Sequence, residues 1–144
     1  RSENPEFMEI GGSYVSREEL FSTSDVVSIH IPNNAQTIKM IGRADLERLR
    51  PSSVLINTAR GQVIDEEALV DLLYQGKFRA GLDVYHAESS PAWASKVAKS
   101  TVLMPHVAYK TKEALVRRFD ITVENIRAAL SGSPINQVNK LLNN

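Results

Sequence analysis

Four short apolar runs, each separated from the next by residues of helical or turn character, restrict this chain more than any other feature. They are Val26-Val27-Ser28-Ile29-His30-Ile31, Ser53-Val54-Leu55-Ile56-Asn57-Thr58, Arg79-Ala80-Gly81-Leu82-Asp83-Val84-Tyr85 and Thr101-Val102-Leu103-Met104. Their length and their β-branched content are those of strands. Pro32 closes the first run and Pro105 the fourth. Strands that alternate with helices form βα units, and βα units build a parallel sheet. The runs are almost continuously apolar, which predicts a sheet covered on both faces. The expected fold class is α/β with a doubly wound parallel sheet.

The intervening segments carry helix punctuation. Ser16-Arg17-Glu18-Glu19 has the spacing of a capping box and predicts a short helix to about Ser22. Residues 37–49 read as helical pieces broken at Gly42, and Pro51-Ser52 as a turn. Asp65 is placed to cap a helix with Leu69, Leu72 and Leu73 on one face, stopped by Gly76. Pro91 and an Ala-rich stretch around Trp93 predict another short helix. A longer one starts near Thr111. Leu115, Phe119, Val123, Ile126 and Leu130 recur on its stripe, and Gly132 and Pro134 end it. Residues 1–15 are polar and Gly-containing, with a short strand expected at Tyr14–Val15, and the last ten residues read as extended.

With 144 residues the chain suffices for one domain and not for two of full size. Its 17 basic and 17 acidic side chains are interspersed and cancel, which points away from nucleic-acid and membrane partners. No apolar run approaches the roughly 20 residues that span a bilayer. The absence of cysteine excludes disulfides and thiolate metal sites and fits a cytoplasmic protein. The chain opens at Arg1 without a methionine or a signal-like apolar stretch, and so reads as a piece of something longer.

In doubly wound sheets ligands bind beyond the carboxyl ends of the strands. The first run delivers His30 there. The second delivers Asn57, Thr58 and Arg60, the third Asp83 followed by His86 and Glu88, and the fourth His106. An arginine presents a planar fork to a substrate carboxylate. A histidine exchanges a proton with an alcohol or carbonyl near neutral pH. A carboxylate beside it would hold the imidazolium form. Arg60, His106 and Glu88 would suffice to reduce a 2-keto acid if a cofactor supplied the hydride. Each residue also has a plainer reading. Arg60 alone is as readily a surface residue, His106 a buried structural histidine and Glu88 a solvated acid. His30 can bond backbone at a strand end, His86 reads as exposed and Trp93 as a packing residue. Asp83 inside an apolar strand favours function, because a buried acid needs a partner. Three scattered histidines do not make metal spacing, so no metal is expected.

Taken together, these motifs resemble the D-isomer-specific 2-hydroxyacid dehydrogenase family. The stretches are Val54-Leu55-Ile56-Asn57-Thr58-Ala59-Arg60-Gly61-Gln62-Val63-Ile64-Asp65, Ala80-Gly81-Leu82-Asp83-Val84-Tyr85, Met104-Pro105-His106-Val107-Ala108-Tyr109 and Ser28-Ile29-His30-Ile31-Pro32. They stand in family order over nearly the whole chain from Val15. The resemblance implies a Rossmann-type sheet, here partial, and hydride transfer between NAD(H), with NADP(H) possible, and a small D-2-hydroxy acid. It implies that Arg60 binds the substrate carboxylate and polarises the keto group, that His106 exchanges the proton, and that Glu88 pairs with His106. Ile31, Pro32, Thr37, Thr58, Ala59, Arg60, Asp83, His106 and Ala108 would line the dinucleotide site. Tyr109 would reach the substrate, with a lean towards the lactate and hydroxyisocaproate branches.

Two departures stand out. Ser89 follows Glu88 where the family often has proline, and no GxGxxG occurs in the chain, so the first βαβ unit with its phosphate-binding turn is missing. Arg1-Ser2 gives a slight hint towards a 2′-phosphate. Residues 1–110 would then be the second half of a dinucleotide-binding domain, and 111–144 the crossover helix and tail leading to a substrate domain. Strand 26–31 would be left as an apolar edge prone to self-association. The parent would be a homodimer, and the isolated piece is expected to be inactive. Two rival functions are a non-catalytic, corepressor-like dinucleotide sensor on the same fold and a free-standing flavodoxin-like module.

Overall fold

The computed structural model describes residues 4–85 and 91–138. The chain divides into two compact units, residues 1–106 and residues 107–144, each considered by itself. The first unit runs α1 (Pro5–Glu9), α2 (Arg17–Thr23), β1 (Val26–Ile29), α3 (Arg43–Leu46), β2 (Val54–Asn57), α4 (Glu66–Tyr74), β3 (Arg79–Leu82), α5 (Pro91–Val97) and β4 (Thr101–Leu103), with a 3-10 turn at Gly61–Val63. The second unit is built on α6 (Lys112–Leu130).

The four strands lie in the order β1-β2-β3-β4, and every pair is parallel. This is the α/β, Rossmann-like sheet that the alternating runs predict. In register, Val27, Leu55, Ala80 and Thr101 form one row, and Ile29, Asn57, Leu82 and Leu103 another on the same face. That face carries the core. Phe21 from α2, Leu46 from α3, Leu69, Leu72 and Leu73 from α4, and Trp93 and Val97 from α5 join it in one buried cluster. Each such aliphatic or aromatic side chain contributes about 1.5–3 kcal/mol on burial. Successive side chains of a strand point to opposite faces. On the alternate face Val26 is 58% exposed and Val102 66%, with Val54 and Ile56 half-buried between them. Both faces were expected to be covered. Among the described residues of 1–106 the buried apolar side chains of α2 to α5 join the first face, and the alternate face keeps Val26 and Val102 exposed.

The helix starts and stops fall where the sequence signals put them, with only the Ser16 half of the expected Ser16–Glu19 box observed. Ser16 Oγ accepts the amide of Glu19 at 3.1 Å, and Asp65 Oδ1 accepts that of Ala68 at 3.4 Å. Gly76 takes φ 68° after α4, the left-handed value that stops a helix cheaply only at glycine. Thr111 Oγ1 caps α6 through the amide of Ala114 at 3.2 Å. Salt bridges join neighbouring helices: Arg17 to the buried Asp45 at 2.9 Å, and Arg43 to Asp71 at 2.7 Å. The N-terminal expectation needs correction. Tyr14–Val15 forms no strand, and residues 5–9 form α1 instead, capped by Asn4 with Pro5 in its first turn. The tyrosine serves that helix: its hydroxyl accepts the amide of Asn4 at 2.7 Å and its ring meets Phe7 edge-on. The Asn-Pro pair is a helix-start signal, and the polar composition around it masked it. In the second unit α6 buries no residue, and Phe119 and Leu130 of its apolar stripe are exposed.

Candidate active site

The carboxyl ends of β2, β3 and β4 continue past the strands proper through backbone hydrogen bonds. The amide of Asp83 donates to the carbonyl of Asn57 at 3.0 Å, that of Met104 to Leu82 at 2.9 Å, and that of His106 to Asp83 at 3.1 Å. The residues that carry Arg60, Asp83 and His106 are therefore tied into one ladder, and the sheet fixes their order along the edge. A single arginine or histidine at a strand end has a surface explanation. Three consecutive strands linked this way bring the backbone around these residues to one edge of the sheet.

Arg60 is exposed and stands in extended backbone at φ −149° and ψ 141°, just before the 3-10 turn. Its guanidinium Nη1 donates to the carbonyl of Ala59 at 2.6 Å. The turn after it is pinned from outside the sheet. The amide of Lys39 donates to Gln62 at 2.9 Å, Ile41 to Val63 at 3.1 Å, and Asp65 back to Ile41 at 2.9 Å, around a parallel bridge between Ile41 and Ile64. Asp83 is buried. His106 is exposed, so it is not a buried structural histidine. It stands at φ 55°, in the left-handed region that a residue with a Cβ enters at a cost of about 1–3 kcal/mol. Backbone strain of this kind clusters at functional sites. A cleft of about 120 Å³ is lined by Tyr85, Met104, Pro105 and His106.

The remaining candidates divide. Ile31 and Ala59 are half-buried and pack against the core. Pro32 and Thr58 are exposed. The Thr37 hydroxyl donates to the carbonyl of Pro32 at 2.6 Å and accepts the amide of Asn34 at 2.9 Å, so it closes the loop after β1 on itself. Ala108 and Tyr109 belong to the second unit and are exposed, with Lys110 Nζ 5.7 Å from the Tyr109 ring. Glu88 and His86 lie outside the described residues, as does Arg1-Ser2. His30 is exposed and meets Ser28 Oγ through Nε2 at 2.8 Å, a side-chain contact rather than the backbone bond expected at a strand end. Trp93 is a packing residue, buried and stacked on Tyr85 at 4.6 Å between centroids.

These residues fit a dinucleotide. Apolar side chains at the ends of β1 and β2 (Ile31, Pro32, Ala59), with the exposed hydroxyl-bearing Thr58, have the chemistry to meet a planar ring and a polar sugar. The cleft at His106 is well below the roughly 300–1,000 Å³ of a pocket enclosing a whole ligand. A concavity of about 620 Å³ between α4 and α5 is lined by none of the strand-end candidates. Two features escaped sequence reasoning: the bridge that pins residues 61–65 and the left-handed backbone of His106. Both are set by contacts between distant segments. Asn57 also carries more than its place at a strand end suggests, since its side chain holds the Arg60 turn from inside.

Comparison with known proteins identifies the family. Residues 1–108 match the family described as D-isomer specific 2-hydroxyacid dehydrogenase, NAD binding domain. A glyoxylate reductase of Thermococcus litoralis is 39% identical over 145 aligned positions, covering 97% of this chain and 43% of that protein. A D-lactate dehydrogenase from Aquifex aeolicus, solved with NAD and lactic acid, superposes with a TM-score of 0.81 at 31% identity, over 92% of this chain and 45% of that one. An acyclic imino acid reductase solved with NADPH and D-Arg superposes with a TM-score of 0.78 at 35% identity, over 90% of this chain and 42% of that one. The chain thus spans less than half the length of the relatives it matches. With a parallel sheet, the strand-end set and a family match over three-quarters of its length, this chain belongs to the D-isomer specific 2-hydroxyacid dehydrogenases, as part of their NAD-binding domain.

Proposed function

We propose that the protein carrying this chain reduces a small 2-keto acid to the D-2-hydroxy acid, and oxidises it in reverse, with NAD(H) or NADP(H). The observation that carries the reading is the ladder Asn57–Asp83–His106, which ties the bearers of Arg60 and His106 to one sheet edge. When bound, the dinucleotide supplies or takes up the hydride. The chain's own residues do the rest. Arg60 pairs its planar guanidinium with the substrate carboxylate, which orients the keto group. His106 gives a proton to the keto oxygen during reduction and takes it from the hydroxyl during oxidation. Glu88, five residues beyond Asp83, would hold the imidazolium form of His106. Ile31, Pro32, Thr37, Thr58, Ala59, Asp83 and Ala108 would line the dinucleotide site, and Tyr109 would touch the substrate.

Residues 1–110 act in this reading as the later half of a dinucleotide-binding domain, and 111–144 as the crossover to a substrate domain. The parent would be a cytoplasmic homodimer. Among the described residues no helix is long and apolar enough to cross a membrane. The relatives' names span glyoxylate and lactate, so the substrate class is a short 2-keto acid. The test is a steady-state assay of the full-length protein with NADH and NADPH against glyoxylate, hydroxypyruvate and pyruvate. Turnover of at least one is expected. Tight dinucleotide binding without turnover of any 2-keto acid would overturn the reading in favour of a non-catalytic sensor. The 144-residue chain alone lacks the Gly-rich phosphate turn, so it is expected to bind dinucleotide weakly and to turn over nothing measurable.

A further inference from the structure

Asn57 is the last residue of β2 and is 1% exposed. A buried side-chain amide is costly unless its donors and acceptor are satisfied. Here both ends are satisfied by the turn that carries Arg60. Nδ2 donates to the carbonyl of Arg60 at 3.0 Å, and Oδ1 accepts the amide of Ala59 at 3.0 Å. The opposite assignment of the amide would set N–H against N–H and carbonyl against carbonyl, so the two bonds fix its orientation. The backbone carbonyl of the same residue accepts the amide of Asp83 at 3.0 Å. One residue is therefore bonded to the Arg60 turn through its side chain and to the strand that leads towards His106 through its main chain. Among the described residues the Arg60 guanidinium makes one hydrogen bond, to the neighbouring Ala59 carbonyl, which does not fix where the turn itself stands.

We propose that Asn57 is the positioning residue for Arg60: its buried amide sets the path of residues 57–60 and so the point from which the guanidinium meets the substrate carboxylate. The proposal rests on the reading of Arg60 as the carboxylate ligand. No other side chain reproduces the clamp. Aspartate keeps an acceptor for Ala59 and loses the donor to Arg60, leucine keeps the volume and loses both, and alanine loses everything. A misplacement of about 1 Å at a binding group can cost on the order of 100-fold in rate.

The experiment uses the full-length protein that carries this chain, with Asn57→Asp and Asn57→Ala made alone and in an Arg60→Lys background. The expected result is a loss in kcat/KM of roughly tenfold or more, carried mainly by KM for the 2-keto acid. That loss should largely vanish when Arg60 is already lysine, because residues acting through one another are non-additive. An equal loss in both backgrounds, or no loss, overturns the proposal. Amide hydrogen exchange of the peptide covering residues 58–61 is the second readout. It should speed up in Asn57→Ala, and Asn57→Asp should retain the Ala59 protection. Unchanged exchange in Asn57→Ala also overturns the proposal. If the wild-type protein reduces no 2-keto acid, the functional reading fails by itself, and the exchange measurement still decides whether Asn57 clamps the turn.

Discussion

The backbone amide of His106 donates to the carbonyl of Asp83 at 3.1 Å while His106 itself stands at φ 55°, so the imidazole is aimed by a left-handed residue anchored to the neighbouring strand. The bond continues the β3–β4 pairing past the last strand residue. The left-handed turn then ends it. A histidine there is paid for in backbone strain, and the strain is local to the group proposed to move the proton.

That relationship sets activity against stability at one position. His106→Gly removes the Cβ that the left-handed region disfavours. We expect the variant to be between neutral and about 1 kcal/mol more stable in urea unfolding, after the larger chain entropy of glycine is offset. We expect 2-keto acid reduction by the full-length protein to fall to background. A clearly destabilised His106→Gly would mean that the imidazole's contacts outweigh the strain.

Arg60 is exposed and stands outside the core, so its removal should spare the fold. Arg60→Ala is expected to change the melting temperature little. It should lower kcat/KM for 2-keto acids by on the order of 100-fold or more, as loss of a bidentate, charge-assisted pair implies. Arg60→Lys should recover only part, since a point charge does not match the fork. Thermal melts alongside initial rates separate the two effects.

β1 pairs with β2 on one side only among the described residues, and Val26 on it is 58% exposed. Edges and faces of this kind template association. The 144-residue chain is therefore expected to self-associate as its concentration rises. Val26→Lys should shift it towards monomer in sedimentation velocity, and a wild-type chain that stays monomeric would contradict the expectation.

Asp71 is held below the ordinary carboxylate range, first by its hydrogen bond from Arg43, then by that from Gln75. A carboxylate with a depressed pKa in the folded state stabilises above its unfolded value, and loses that contribution as pH falls through its folded value. The Arg43–Asp71 bridge between α3 and α4 is exposed, so the effect is small. Melting temperatures of wild type and Asp71→Asn should differ most near neutral pH and converge under acid, below about pH 4. High salt should narrow the gap at neutral pH.

Much of the architecture was legible because its causes are local. The strand runs around Val27, Leu55, Leu82 and Val102 announce themselves by length and β-branching, and the structure trims each by one to three residues. Ser16, Asp65 and Thr111 cap the helices that follow them, since a cap needs only a side chain and an amide three residues on. Arg60, Asp83 and His106 could be grouped in advance because parallel strands bring all their carboxyl ends to one edge. Tyr14–Val15 failed because its partner is Asn4 and Phe7 of a helix rather than another strand. Within the described residues of 1–106 the apolar cluster lies on one face, because an apolar run states that burial is available, not which face receives it.

The sequence by itself therefore determined the elements from α2 onwards, their order, the parallel sheet and the family, all of which follow from periodicity, capping and motif order along the chain. Only the tertiary structure decided that Asn57 turns its amide onto the Arg60 turn, that Asp83 links β2 to His106, and that His106 is held left-handed. Each of these is a hydrogen bond or a dihedral imposed across strands or by a buried neighbour. A one-dimensional pattern carries no term for such contacts, because their energy depends on where distant segments have come to lie.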